Sequence, residues 1–227
     1  MKELLLASAI LTALIIPLAA TADHRPGHEK GPGNANLSIK ADPHTVLWAR
    51  ATTISGKLRG NDNAGKTIEL QHNPHPFSGP FRRVATTMTD ANGDYSFRVV
   101  PAEHTNYRVE ARVSPRQTSA ERTVRVRMRI NRRVSDRTPA RGERVTFSGR
   151  VAPAHDGRIV LLQRRRPSGS WKTVARATLV DAGADEPNNS FWQRSKRITR
   201  DGVFRARIRA HDDHLGNTTR RVRLNVP

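Results

Sequence analysis

Cysteine is missing from all 227 residues of the chain. That excludes a disulfide framework, a thiolate zinc or iron–sulfur site, a cysteine nucleophile and a lipidated cysteine anchor. Aromatic residues are scarce at 5%, so any core is thin and aliphatic, and disorder is the competing state. Acidic residues are outnumbered, 20 against 40 Lys and Arg, which leaves a formal net charge of +20. Catalytic signatures are missing as well. There is no Gly-x-Ser-x-Gly elbow, no glycine loop to cradle a phosphate and no His-Glu-x-x-His pair. These gaps point to a protein that is not an enzyme and carries no cofactor.

Only one long apolar run occurs, from Leu4 to Ala20, interrupted near its end by Pro17. It is shorter than the ~20 residues a helix needs to cross a bilayer. Ala20-Thr21-Ala22 then supplies the small-x-small pattern of a signal peptidase site. A cleaved signal peptide over residues 1–22 is therefore expected, with the mature protein secreted, extracellular and without a membrane span. Residues 23–34 mix Gly and Pro with charges and predict a flexible linker. His24 and His28 would share a helical face, but Pro26 and Gly27 between them forbid that helix.

What fills the rest of the chain is one unit written twice. Thr53-Ile54-Ser55-Gly56-Lys57-Leu58 returns as Thr146-Phe147-Ser148-Gly149-Arg150-Val151. Gly65–Gln71 returns as Gly157–Gln163, and Phe81–Ala85 as Trp171–Ala175. Tyr107–Ala111 returns as Phe204–Ile208, and Val124–Met128 as Val222–Val226. The order is kept while the offset drifts, as loop insertions would cause. Two domains follow, 35–131 and 132–227, with the joint near Ile130–Val134.

Each copy alternates with period two. Tyr107, Val109, Ala111 and Val113 interleave with Arg108, Glu110 and Arg112; Phe204, Ala206, Ile208 and Ala210 interleave with Arg205, Arg207 and Arg209. Successive side chains on a strand point to opposite faces, so this spacing gives one apolar and one charged face. About seven such segments per copy, separated by turn formers, predict an all-β protein of two small antiparallel sandwiches. Asp90-Ala91-Asn92-Gly93-Asp94 reads as a hairpin turn. As a calcium loop it has its glycine at the fourth position and lacks the terminal glutamate.

The Thr-x-Ser-Gly openings, the Leu-Gln strand ends (Leu70, Gln71; Leu162, Gln163), the aromatics Phe81 and Trp171, and Asn92-Gly93-Asp94-Tyr95-Ser96-Phe97 resemble Ig-like and carboxypeptidase-regulatory-like β-sandwich modules. Such modules occur in secreted proteins of high-GC, actinobacterial-type bacteria. The resemblance spans roughly residues 35–227 and implies two consecutive seven-stranded Ig-like sandwiches. It also implies a structural or interaction module at the cell surface, with another surface protein as partner. Activity does not follow from such a fold.

Two histidine clusters, His72-Asn73-Pro74-His75 and His211-Asp212-Asp213-His214, are the groups a metal could use. Each sits among loop formers and neither recurs in the other copy, so both read as solvated loop residues and no metal is expected. The same holds for Asp185 and Glu186 as a catalytic pair. Phe81 and Trp171 read as core anchors at strand starts. Trp48 and Trp192 have no counterpart in the other copy, and the alternation around Phe191-Trp192-Gln193 is poor enough to put that strand in doubt.

Charge is the remaining signal. Residues 23–131 carry 17 basic and 10 acidic groups, and residues 132–227 carry 22 and 9, so most of the excess lies in the second copy. Arginine accounts for 33 of the 40 cations, which codon bias alone can produce. A functional alternative exists. Arg205, Arg207 and Arg209 would lie in one sheet beside Arg221 and Arg223 with no acid among them, and Arg164-Arg165-Arg166 adds a second cluster. Like charges on neighbouring strands repel, and an extracellular polyanion (a wall polymer, an acidic polysaccharide or DNA) would relieve them.

Overall fold

The structure is a computed structural model that describes residues 36–227. The expected signal peptide (residues 1–22) and linker (residues 23–34) lie outside the described residues. Every regular element described is a strand, and no described helix is long and apolar enough to cross a membrane.

The first unit runs β1 (Lys40–Asp42), β2 (Thr45–Leu47), β3 (Thr52–Lys57), β4 (Thr67–Pro74), β5 (Arg82–Met88), β6 (Asp94–Val99), β7 (Thr105–Ala111), β8 (Gln117–Thr118) and β9 (Arg122–Arg127). One sheet has the order β1-β3-β6, the other β2-β9-β7-β4-β5 with β8 also on β7. Between them lies a core of Ile54, Ile68, Leu70, Phe97, Tyr107, Val109, Val124 and Val126. The alternating residues of β7 do what their spacing predicts, with Tyr107, Val109 and Ala111 buried. The chain changes sheets at Pro43, which has no N–H to give a ladder. Its carbonyl instead accepts a hydrogen bond from the Thr52 hydroxyl at 2.7 Å.

The second unit repeats the plan with β10 (Arg129–Ile130), β11 (Arg133–Val134), β12 (Arg144–Ala152), β13 (Ile159–Arg165), β14 (Trp171–Thr178), β15 (Val180–Asp181), β16 (Ser190–Arg197), β17 (Gly202–Ile208), β18 (Asn217–Thr218) and β19 (Val222–Leu224). Its sheets are β10-β12-β16-β15 with β11 on β12, and β14-β13-β17 with β18 and β19 both on β17. Phe147 and Phe204 meet in the core with ring centroids 5.4 Å apart, beside the fully buried Trp192. The expected seven segments per copy become nine and ten strands, because the first and last are broken into short pieces.

The duplication extends to irregularities. The ladder slips by one residue between Leu70 and Gln71 on β4, and between Leu162 and Gln163 on β13. A Cβ on Gly56 would strike the Ser38 carbonyl and the Tyr95 hydroxyl; one on Gly149 would strike the Asn131 carbonyl and Trp192 Nε1. Tyr95 and Trp192 therefore occupy one structural slot, and Trp192 does have a counterpart. It is a core residue.

Three further expectations change. The strand around Phe191 forms fully: β16 pairs with β12 from Ser190 to Arg197. The Asn-Gly turn is not a hairpin, because β5 and β6 belong to different sheets. It arches over the end of the sandwich, with the Asp90 carboxylate accepting the Asn92 and Asp94 amides at 2.8 and 2.9 Å. The joint also falls earlier than the 131/132 boundary. β9 ends at Arg127 in the first unit's sheet, Met128 is buried in the second core, and β10 starts at Arg129.

Candidate functional site

The strand register of the second unit decides where its arginines go. On β17, Phe204, Ala206 and Ile208 are buried, so Arg205 and Arg207 face outward. Arg223 lies opposite Val203 and so shares that outward face. Arg207 lies opposite Leu161, whose other neighbour is Arg176, a contributor that alternation alone did not single out. Arg209 comes after the last residue of β17 and Arg221 just before β19. Among the described residues, none of these arginines makes an ion pair with an acid.

Arg205 is tied down. Its Nε donates to Gln163 Oε1 at 2.9 Å, and its guanidinium lies 4.1 Å from the centre of the Trp171 ring. Arg221 approaches the same ring at 5.8 Å. Burial, followed by the neighbouring charges of Arg207 and Arg221, draws Arg205 below the usual guanidinium range. The first unit builds the same device: Arg108 Nε donates to Gln71 Oε1 at 2.8 Å and stacks 4.2 Å from the centre of Phe81. Phe81 and Trp171 are thus half-buried platforms for arginine on the outer sheet face, not core anchors.

The Arg164-Arg165-Arg166 cluster belongs to a different place. It closes the β13–β14 hairpin at the end of the sandwich away from the joint. With Lys196, Arg197 and Arg200 it lines a cleft of about 900 Å³. Lys172 and Arg223 also line it, and Asp201 is its one acid. Arg164 donates to the Asp201 carbonyl through Nη2. Its pKa is lowered by burial and by the Arg200 charge. Arg223 belongs to both the outer face and the cleft.

The joint holds what the sequence treated as a solvated loop. His211-Asp212-Asp213-His214 forms a tight turn in which His211 and His214 exchange backbone hydrogen bonds. His214 is buried, and its Nε2–H reaches the Ala102 carbonyl of the first unit at 2.8 Å. His155, from the loop before β13, completes the group. His155 Nε2 lies 3.6 Å from Asp213 Oδ1, and His214 Nδ1 lies 3.1 Å from Asp213 Oδ2. His211 Nδ1 lies 2.8 Å from Asp213 Oδ1, while Arg158 contacts its Nε2. Partial burial works against ionisation of Asp213, but hydrogen bonds from His211 and His214 and the positive charge of the His214 and His155 rings when protonated outweigh it. The carboxyl is held well below its ordinary range. His155 was not legible as a partner because 58 residues separate it from Asp213 in the sequence.

The other candidates do not assemble. His72 is on β4 and His75 just beyond its end; the two do not face a third ligand among the described residues. Glu186 pairs with Arg150 and not with Asp185. Trp48 packs against the first core.

No protein-family model matches the chain, and no curated protein matches it. Among solved structures it is similar to a four-repeat tandem from the extending region of a large adhesion protein, at 16% identity and a TM-score of 0.36. The match covers 84% of this chain and 48% of that one.

Proposed function

We propose that the chain is a secreted, non-catalytic pair of Ig-like β-sandwiches acting outside the cell as a rigid structural or interaction module. The joint is the observation that carries this reading. No linker separates the units, and backbone groups bridge them directly. Leu215 N donates to Val126 O at 2.8 Å and His104 N to Asp213 O at 3.0 Å. Side chains add to this: Arg127 Nη1 donates to Gly216 O and His214 Nε2 to Ala102 O, both at 2.8 Å. Paired domains move relative to one another unless their interface fixes them, and these bonds favour one fixed relation. Because the chain lacks cysteine, spin labels can be placed at Val84→Cys and Lys172→Cys without background. A single narrow distance distribution between them is expected; a broad one would exclude a rigid module.

A second reading rests on the cleft. Eight cations and one acid around about 900 Å³ favour binding of an extracellular polyanion, with the outer-face arginines beside it. Such binding is electrostatic and weakens steeply with salt. Retention on immobilised heparin beyond ~0.2 M salt is expected, with Arg166→Glu/Arg200→Glu eluting earlier than Arg205→Glu/Arg207→Glu. Elution of the native chain below that salt would discard this reading and leave the first intact.

A further inference from the structure

We propose that His155, Asp213 and His214 bind one divalent transition-metal ion of zinc's class, and that the ion clamps the joint between the two units. The far nitrogens of both rings are already committed. His155 Nδ1 lies 2.9 Å from the Pro153 carbonyl, and His214 Nε2 lies 2.8 Å from the Ala102 carbonyl. A carbonyl can only accept, so each far nitrogen carries a hydrogen, and the near nitrogen of each neutral ring offers a lone pair to an ion. Those lone pairs, His155 Nε2 and His214 Nδ1, face the two oxygens of one ionised carboxylate. One nitrogen from each ring and one carboxylate oxygen thus supply three donor atoms to an ion.

His214 Nδ1 sharpens the point. It is fully buried and no hydrogen bond of good geometry reaches it, with Asp213 Oδ2 3.1 Å away. A buried imidazole nitrogen without a partner is costly, and a cation at the convergence point would satisfy it. The spacing suits one. Four ligands around zinc at ~2.0–2.1 Å stand roughly 3.3 Å apart; here the ring nitrogens lie 3.6 and 3.1 Å from the carboxylate oxygens. All three ligand atoms fall within 4.8 Å of one another.

Supporting groups are also in place. Metal-bound imidazoles commonly donate their other N–H to a backbone carbonyl, which fixes tautomer and ring orientation. Both histidines do so. His211 is a positioning residue: Arg158 occupies its Nε2, and its Nδ1–H holds Asp213 Oδ1 at 2.8 Å. Asp213 keeps about a quarter of its side chain exposed, 26%, which leaves a water room for the fourth position. Two oxygens alone would suit calcium poorly, whereas imidazole with carboxylate suits zinc, cobalt, nickel or copper.

The position gives the ion its consequence. The turn carrying Asp213 and His214 is the one docked on the first unit, through Ala102, His104 and Val126. His155 comes from a separate loop of the second unit. A metal would tie that loop to the docked turn and hold the joint against opening.

Titration of the untagged, chelator-treated chain with Zn²⁺ tests this, with Co²⁺ as a spectroscopic probe. One equivalent should bind, and Co²⁺ should give the strong visible absorption of four-coordinate nitrogen–oxygen ligation. His155→Gln and Asp213→Asn should each weaken Zn²⁺ binding at least tenfold, while His75→Gln leaves it unchanged. Both lie on loops, and an unchanged metal-free urea midpoint in either one shows that loss of binding is not loss of fold. Zn²⁺ should also raise the unfolding midpoint of the native chain by linkage. Less than half an equivalent bound at about 100 μM Zn²⁺, well above structural-site affinities, would overturn the proposal. So would binding that survives both variants.

Discussion

Glu69 lies directly opposite Glu110 across the β4–β7 ladder of the first unit. Arg83 and Arg112 hold the buried Glu69, and Arg116 holds Glu110 at 3.0 Å. At the same register of the second unit stand Leu161 and Arg207. The copies thus share a ladder but not its charge: one outer face is neutralised from within, and the other is left cationic.

Returning an acid to that register should undo the difference. Leu161→Glu places a carboxylate between Arg176 and Arg207. Elution from immobilised heparin should shift to lower salt. Stability should fall by about 1–3 kcal/mol, because a buried leucine is lost. An unchanged elution point would mean that the outer face takes no part in retention.

The two tryptophans of the second unit should behave differently. Trp192 is fully buried in the core, and Trp192→Ala should cost about 3–5 kcal/mol in urea unfolding. Trp171 is a half-buried support for Arg205 and Arg221. Its loss should cost about 1–2 kcal/mol, part of it the stacking of a cation on a ring. Equal costs would contradict the placement.

Gly149→Ala drives a methyl into the Asn131 carbonyl and the Trp192 indole, and Gly56→Ala into the Ser38 carbonyl. Each should destabilise by about 2–3 kcal/mol through overpacking. Gly79 has open space around it, so Gly79→Ala should stay within about 0.5 kcal/mol. Urea midpoints of the three variants check the contrast.

The joint offers a structural test as well. Arg127→Ala removes one of the two side-chain hydrogen bonds across it, the other being His214 Nε2 to Ala102 O, each worth about 1 kcal/mol. The distance distribution between labels at residues 84 and 172 should broaden, while the secondary structure by circular dichroism stays the same. A distribution as narrow as the native one would assign the rigidity to the remaining bonds across the joint.

Much of the fold was legible because strands bury alternate residues. Tyr107-Arg108-Val109 and Phe204-Arg205-Ala206 announce their inward faces, and the collinear repeat announces that the plan occurs twice. The strand at Phe191 was hidden. β16 buries only Ser190 and Trp192 along its length, and Gln193, Arg194 and Ser195 are all exposed. Its pattern is therefore nearly that of a loop. The Asn92-Gly93 turn misled for a related reason: local backbone preference fixes the bend but not which strands the bend connects.

The candidate surfaces divide the same way. That the second copy is richer in arginine, and that Arg205 and Arg207 share a face, follows from counting and from period two. That Arg164–Arg166 leave this face for a cleft with Lys196 and Arg200 depends on how two sheets stack at their far end.

By itself, the order of amino acids determined which side of each strand meets the core, because alternation is a local property of an extended backbone. Only tertiary structure decided that His155 meets Asp213 and His214, that a tyrosine and a tryptophan fill one slot, and that the units join without a linker. Those relations depend on loops brought together by sheets packing on sheets, and contacts between residues distant along the chain leave no periodic trace in it.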